Sequence, residues 1–154
     1  MKVSEIMTSD PVTVRQSDTL GGVIRLLTTH KISGVPVVSR NKLVGVVTQT
    51  DVIGAIDVYK KVNKSNVSFD VIVGLLESHD KKVAASISRM LRAKVSGLKQ
   101  KKVISVDVDE DVYKSAALIN MHGIDRLPVT KKGKLVGIIT KTDLILAIQK
   151  WQAD

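Results

Sequence analysis

Apolar positions along this chain fall in turn into short β-prone runs and segments of helical spacing, and the whole order runs through twice. The first round opens on a β-prone stretch, Val12-Thr13-Val14. A helix follows from about Asp18 to Thr29, with Leu20, Val23, Ile24 and Leu27 on one face. Two strands come next, Gly34 to Val38 and Leu43 to Thr48, turning at Arg40-Asn41, and a closing helix opens at Asp51 and continues towards Lys61. The second round begins at Ile104-Ser105-Val106. Its helix starts near Asp109-Glu110-Asp111 and carries Val112, Ala116 and Ile119 at matching positions, its strands run Arg126 to Thr130 and Lys134 to Thr140 around Lys132-Gly133, and its last helix opens at Asp143. The pattern predicts an α/β (α+β) fold, β-α-β-β-α twice.

The two rounds superimpose without a gap at an offset of 92 residues, Val12–Ile56 on Ile104–Ile148, with 16 of 45 pairs identical. A unit of this length is too short to bury a core alone, so the copies are expected to pack as one pseudo-symmetric module and to work in the cleft between them. Between them lie the polar run Asn63-Lys64-Ser65-Asn66 and a segment in which Val83, Ile87, Met90 and Leu91 fall at helical spacing. One or two extra helices are expected there. The predicted division is residues 1–62, a basic inter-repeat segment 63–102, and residues 103–154. An amphipathic helix of this kind is expected to pack on its own domain or on a second subunit.

Charge changes the picture only in the middle. Residues 1–56 carry 6 Lys/Arg against 4 Asp/Glu, residues 57–102 carry 11 against 4, and residues 103–154 carry 7 against 7, within a formal net charge of +9. A basic surface gathers anions, so Lys81, Lys82, Arg89, Arg92, Lys94, Lys101 and Lys102, with Lys60, Lys61, Lys64 and Lys99, could neutralise phosphates of DNA or RNA. No helix-turn-helix or zinc-finger signature accompanies them, and the 3% aromatic content leaves few stacking platforms. The absence of cysteine excludes disulfides, thiolate catalysis and cysteine metal sites. No stretch reads as a signal peptide or membrane span, which points to a cytoplasmic location without membrane contact. His30 and His122 fall at equivalent helix ends and cluster with nothing, so no metal site is predicted. Phosphate-loop, nucleophile-elbow and zinc-protease motifs are missing as well.

The strongest chemical signal is Gly45-Val46-Val47-Thr48-Gln49-Thr50-Asp51, echoed by Gly137-Ile138-Ile139-Thr140-Lys141-Thr142-Asp143. Thr50 or Thr142 can cap the following helix, and an acid in its first turn suits the helix dipole. Capping would account for one such turn, but less well for Thr, Thr and Asp recurring together. A strand-to-helix junction also presents backbone N–H groups to an anion, and a carboxylate there suits the two hydroxyls of a ribose. Phosphate and ribose together describe a nucleotide. The same acid in two equivalent places argues for binding rather than an acid/base pair.

At these residues the chain resembles the cystathionine β-synthase (CBS) domain family, as a tandem pair or Bateman module. The family pattern is carried by Met7-Thr8-Ser9-Asp10-Pro11-Val12-Thr13-Val14, Val35-Pro36-Val37-Val38 and Gly45 to Asp51, then by Leu127-Pro128-Val129 and Gly137 to Asp143. The second entry, Leu98 to Val106, lacks the Met-Thr pair, and residues 65–101 exceed the usual linker and are not explained by the resemblance. The resemblance implies a non-enzymatic regulatory module with no required cofactor and with AMP, ADP, ATP or S-adenosylmethionine as its ligand. Asp51 and Asp143 would hold ribose, and Thr48, Thr50, Thr140 and Thr142 would serve ribose and phosphate. The backbone near Thr13, Val35, Pro36, Ser105, Leu127 and Pro128 would line the adenine pocket. Arg126, where the first copy has Gly34, would meet phosphate and favour more highly charged nucleotides. The resemblance also implies a homodimer formed through helices and an effector protein as a further partner.

Overall fold

The computed structural model describes residues 1–55, 81–98 and 102–151. Among them are five α-helices and seven strands. Strands β1 (Thr8–Ser9) and β2 (Val14–Arg15) precede α1 (Leu20–Thr29), β3 (Gly34–Ser39), β4 (Lys42–Thr48) and α2 (Gln49–Gly54). Helix α3 (Lys81–Arg92) leads to β5 (Val106–Asp107), α4 (Val112–His122), β6 (Arg126–Lys131), β7 (Lys134–Thr140) and α5 (Lys141–Trp151). The β-α-β-β-α order therefore stands in both copies. The first closing helix does not run on as expected towards Lys61: α2 ends at Gly54, where the Ala55 N–H turns back to the Val52 carbonyl, and Lys60, Lys61, Lys64, Lys99 and Lys101 lie outside the described residues.

Local chemistry explains the element ends. Helix α1 begins two residues later than its periodicity suggested because the Thr19 hydroxyl accepts the Gly22 N–H, and Asp111 does the same for α4 through the Tyr113 N–H. Both β-hairpins turn on two consecutive residues at positive φ, Arg40 and Asn41 in one and Lys132 and Gly133 in the other. Two-residue turns of this hand match the twist of the paired strands.

The described chain divides into two compact units that do not coincide with the copies. One gathers the described residues of 1–13, 36–46 and 102–151, and the other those of 14–35, 47–55 and 81–98. In the first unit β5 is parallel to β6, β6 is antiparallel to β7, and the far edge of β7 is shared by β1, through Thr8 opposite Ile138 and Ser9 opposite Gly137, and by Lys42 of β4 opposite Lys134. The sheet is thus mixed. Its core holds Val3, Val106, Val108, Ile119, Leu127, Val129, Ile139 and Leu144, with Ile6 and Met7 packed against them. In the second unit Val14, Leu20, Val23, Leu27, Val35, Val47, Met90 and Val95 are buried.

Each copy is closed by a segment that precedes the other copy in sequence. In the first unit Val3 N–H donates to Glu110 C=O at 2.9 Å, Ser4 N–H to Val108 C=O at 3.2 Å, and Val112 N–H to Met1 C=O at 3.1 Å. In the second, Val95 donates to Asp18 at 2.9 Å, Ser96 to Gln16 at 3.0 Å, and Leu20 to Ala93 at 2.8 Å. These partners differ by the same 92 residues. The equivalence therefore reaches back beyond Val12 to Lys2-Val3-Ser4 and Lys94-Val95-Ser96, which are identical in type. The end of the inter-repeat segment is the missing counterpart of the N-terminus. Ahead of it, α3 packs on α1 so closely that a Cβ on Gly21 would stand 3.0 Å from the Leu91 carbonyl oxygen. The expected apolar stripe holds in part: Met90 is buried and Ile87 partly buried, but Leu91 is 38% exposed, while Lys82, Arg89 and Arg92 are exposed as expected.

Two buried hydroxyls, those of Ser86 and Ser115, have no hydrogen-bond partner among the described residues. Ser115 is fully buried and its hydroxyl has no hydrogen-bond partner, where the first copy has Val23. An unmet buried hydroxyl costs about 1–3 kcal/mol. Ser115→Ala is therefore expected to raise stability by about 1 kcal/mol in urea unfolding, and a lower midpoint would refute that account.

Candidate functional site

The apolar strands β4 and β7 each end on a threonine that leaves the sheet and starts a helix. Thr48 Oγ1 donates to Asp51 Oδ2 at 2.7 Å, the Asp51 N–H donates back to Thr48 Oγ1 at 3.3 Å, and the Thr48 N–H donates to Asp51 Oδ2 at 2.8 Å. Around Thr140 and Asp143 the three distances are 2.7, 3.3 and 2.7 Å. This is a reciprocal capping box, and it corrects the sequence reading on two points. The capping residues are Thr48 and Thr140, not Thr50 and Thr142, and the helices open at Gln49 and Lys141 rather than at the acids. The physical reason is spacing. Only a residue three positions ahead of the acid can exchange both hydrogen bonds with it, whereas Thr50 and Thr142 already lie in the first turn, exposed.

Capping does not use up the chemistry. Both carboxylates are partly buried at a helix start, where the dipole favours the anion. Among the described residues, the hydrogen bonds to the Asp143 side chain land on Oδ2, which leaves Oδ1 to accept from a hydroxyl.

The second copy's turn carries charges that the first lacks. Arg126 is partly buried and registers opposite Thr140 across the β6–β7 ladder. Burial pulls its guanidinium below the ordinary arginine range, an effect that neighbouring Asp125 partly offsets. Asp125 in turn accepts a hydrogen bond from Lys141 Nζ at 2.8 Å, and that bond with the lysine's charge holds its carboxyl below the usual range. The equivalent first-copy residues are Ser33, Gly34 and Gln49.

The remaining candidates divide between the units. The first unit holds Thr13, Pro36, Ser105, Arg126, Leu127, Pro128, Thr140, Thr142 and Asp143, and the second holds Val35, Thr48, Thr50 and Asp51. Val35 and Leu127 are fully buried, so only their backbone can reach a ligand, while Thr13 and Ser105 are exposed. The entry strand β1 supplies a contact that the sequence did not reveal. It crosses β7 at Gly137, where a Cβ would stand 2.5 Å from Met7 Sδ and 3.1 Å from the Thr8 carbonyl oxygen, which is why the motif needs glycine there.

Other chemistry is thin. Among the described residues no three His, Asp or Glu side chains are grouped to hold a metal, and no helix is long and apolar enough to cross a membrane. The basic residues Lys81, Lys82, Arg89, Arg92, Lys94 and Lys102 are exposed, as expected of a solvated face. An apolar groove on α4 and α5 is lined by Met1, Val112, Tyr113, Leu144, Ala147 and Ile148.

Comparison with known proteins agrees with this geometry. The CBS domain family model matches residues 3–58 and 83–150, so the second match already begins within α3. The uncharacterized protein MJ1426 of Methanocaldococcus jannaschii is 31% identical over 156 residues, covering 96% of this chain and 91% of that protein. Other curated relatives are longer, and the match spans only 44% of one and 23% of another. CBSX2 in complex with AMP is similar in fold, with a TM-score of 0.71, 23% identity and 98% coverage of both chains. The CBS domain pair of MJ0100, in complex with 5-methylthioadenosine and S-adenosyl-L-methionine, gives a TM-score of 0.66 at 20% identity, with 97% of each chain covered.

Proposed function

The chain belongs to the CBS domain family, as a tandem pair, and from that membership we propose that it is a non-enzymatic regulatory module binding an adenosine-containing ligand, AMP, ADP, ATP or S-adenosylmethionine. The observation that carries the reading is the twice-built Thr-x-x-Asp turn, whose partly buried carboxylate is held at one orientation by its own threonine. A preset acceptor of this kind suits the vicinal hydroxyls of a ribose, and the adjoining Thr48, Thr50, Thr140 and Thr142, with Arg126 in the second copy, suit phosphate. The ligands named for CBSX2 and MJ0100 all contain adenosine, which supports the ligand class. Regulation follows from binding when the ligand has different affinities for two arrangements of the module or of its effector.

The test is calorimetric titration of AMP, ADP, ATP and S-adenosylmethionine into nucleotide-free protein. Micromolar binding of at least one is the expected result, and no heat from any of the four would refute the reading.

The helices α4 and α5 offer the surface for self-association. Tyr113 (63% exposed), Met121 (73%), Ile145 (65%) and Ile148 (56%) leave apolar surface of these helices in water. A homodimer formed here would bury it. Ile145→Glu with Ile148→Glu is expected to shift sedimentation from dimer to monomer while the circular dichroism spectrum is kept, and a wild-type monomer at 100 µM, about the concentration at which a weak dimer would form, would exclude the interface.

A further inference from the structure

The two turns have the same backbone and different charge. Gln49 N–H donates to Ser33 C=O at 3.0 Å, and Lys141 N–H donates to Asp125 C=O at 3.2 Å, so strand entry and helix start are clamped alike in both copies. On that common frame the first copy presents Ser33, Gly34 and Gln49, all uncharged, and the second presents Asp125, Arg126 and Lys141. Lys141 Nζ sits 2.8 Å from Asp125 Oδ1, with the two side chains 57% and 69% exposed. The lysine leaves from the residue between Thr140, which caps α5, and Thr142. It is therefore tethered beside the acceptor assigned to ribose, while its charge is directed to a carboxylate on the neighbouring strand entry.

We propose that the Asp125–Lys141 pair is an exchangeable latch that selects the ligand of the second copy by its phosphate charge. This rests on the adenosine-ligand reading and deepens it. With ribose hydroxyls on Asp143, the phosphates leave the sugar beside Thr140 and meet Lys141, which exchanges Asp125 for a phosphate oxygen. An exposed ion pair is weak enough to be opened in this way. Each class of ligand then meets a different balance. Adenosine offers nothing to take the lysine. A monophosphate displaces a carboxylate only to leave that carboxylate facing its own negative charge. A longer phosphate chain can engage Lys141 and Arg126 together while its outer charge extends into solvent, where Asp125 is screened. The second copy is thereby biased towards di- and triphosphates. The first, which lacks all three charges, discriminates little between a nucleoside and its phosphates.

The experiment titrates adenosine, AMP, ADP and ATP into three proteins that share an Asp51→Ala substitution, which confines binding to the second copy: the parent, Asp125→Asn and Lys141→Gln. Asp125→Asn is expected to strengthen ATP binding about threefold to fivefold, because the competing carboxylate is gone. Lys141→Gln is expected to weaken ATP binding about tenfold, with AMP less affected and adenosine least, so that the affinity ladder flattens. Both positions are exposed, and matched thermal midpoints would establish that the variants fold. A ladder of the same slope in all three proteins overturns the latch while leaving the ligand reading intact. Absence of binding by all four compounds to the parent refutes the ligand reading and the latch together.

Discussion

Replacing Asp51 and Asp143 together by alanine is expected to abolish adenosine-ligand binding, with affinity at each site falling at least about 100-fold. A hydrogen bond from a ribose hydroxyl to a charged acceptor is worth about 1.5–3 kcal/mol, and two hydroxyls share each carboxylate. Each acid also closes a capping box, so the substitution carries a structural cost of about 1 kcal/mol per helix. The two effects are separable. Asp143→Asn keeps a side-chain oxygen that can accept the Thr140 N–H, now at 2.7 Å, and so preserves most of the cap, but it removes the charge that makes the ribose contact strong. Calorimetry beside thermal unfolding should therefore show a large loss of affinity in the asparagine variant with little loss of stability. If affinity instead followed the unfolding midpoint from variant to variant, the acids would be helix caps and nothing more.

The fold order and the repeated turn that carries Asp51 and Asp143 are legible in the sequence because they rest on short-range regularities. Short runs rich in Val, Leu and Ile mark β3, β4, β6 and β7, and the turn residues between them lie at fixed offsets; Lys134–Thr140 matches its expected bounds to the residue. What escaped was set by distant partners. Thr50 adjoins the acid and so looks like the cap, but the spacing Thr48-x-x-Asp51 holds the better signal. The Asp125–Lys141 pair joins residues 16 apart that no periodicity connects. The entry segments were missed for a subtler reason. Lys2-Val3-Ser4 and Lys94-Val95-Ser96 repeat at the same offset as the rest, but Glu5 to Pro11 and Gly97 to Val103 between them share no residue, so the visible repeat begins only at Val12. Segment 63–102 consequently read as an insertion, whereas its last described part pairs by backbone with the first copy.

That exchange gives the second large effect, a reciprocal one. Val3 and Val95 are each fully buried, and each anchors a turn whose backbone is bonded to the copy that does not directly follow it in sequence. Val3 lies within the same core as Val106, Val108 and Leu127. An aspartate at position 3 would have to bury a carboxylate without a partner or pull the N-terminal segment out of the core, at a cost of about 3 kcal/mol or more. In a chain of this size that lowers the unfolding midpoint by about 10 °C. The milder Val3→Ala and Val95→Ala test the assignment itself. A lost buried valine methyl pair costs about 1–3 kcal/mol, enough to register locally before the whole chain unfolds. In native-state hydrogen exchange Val3→Ala is expected to accelerate the amides of Val129 and Ile139, which belong to the unit containing residue 3, and Val95→Ala those of Val23 and Val47. The converse pattern, each substitution loosening the copy that follows it in sequence, would overturn the exchange of entry segments.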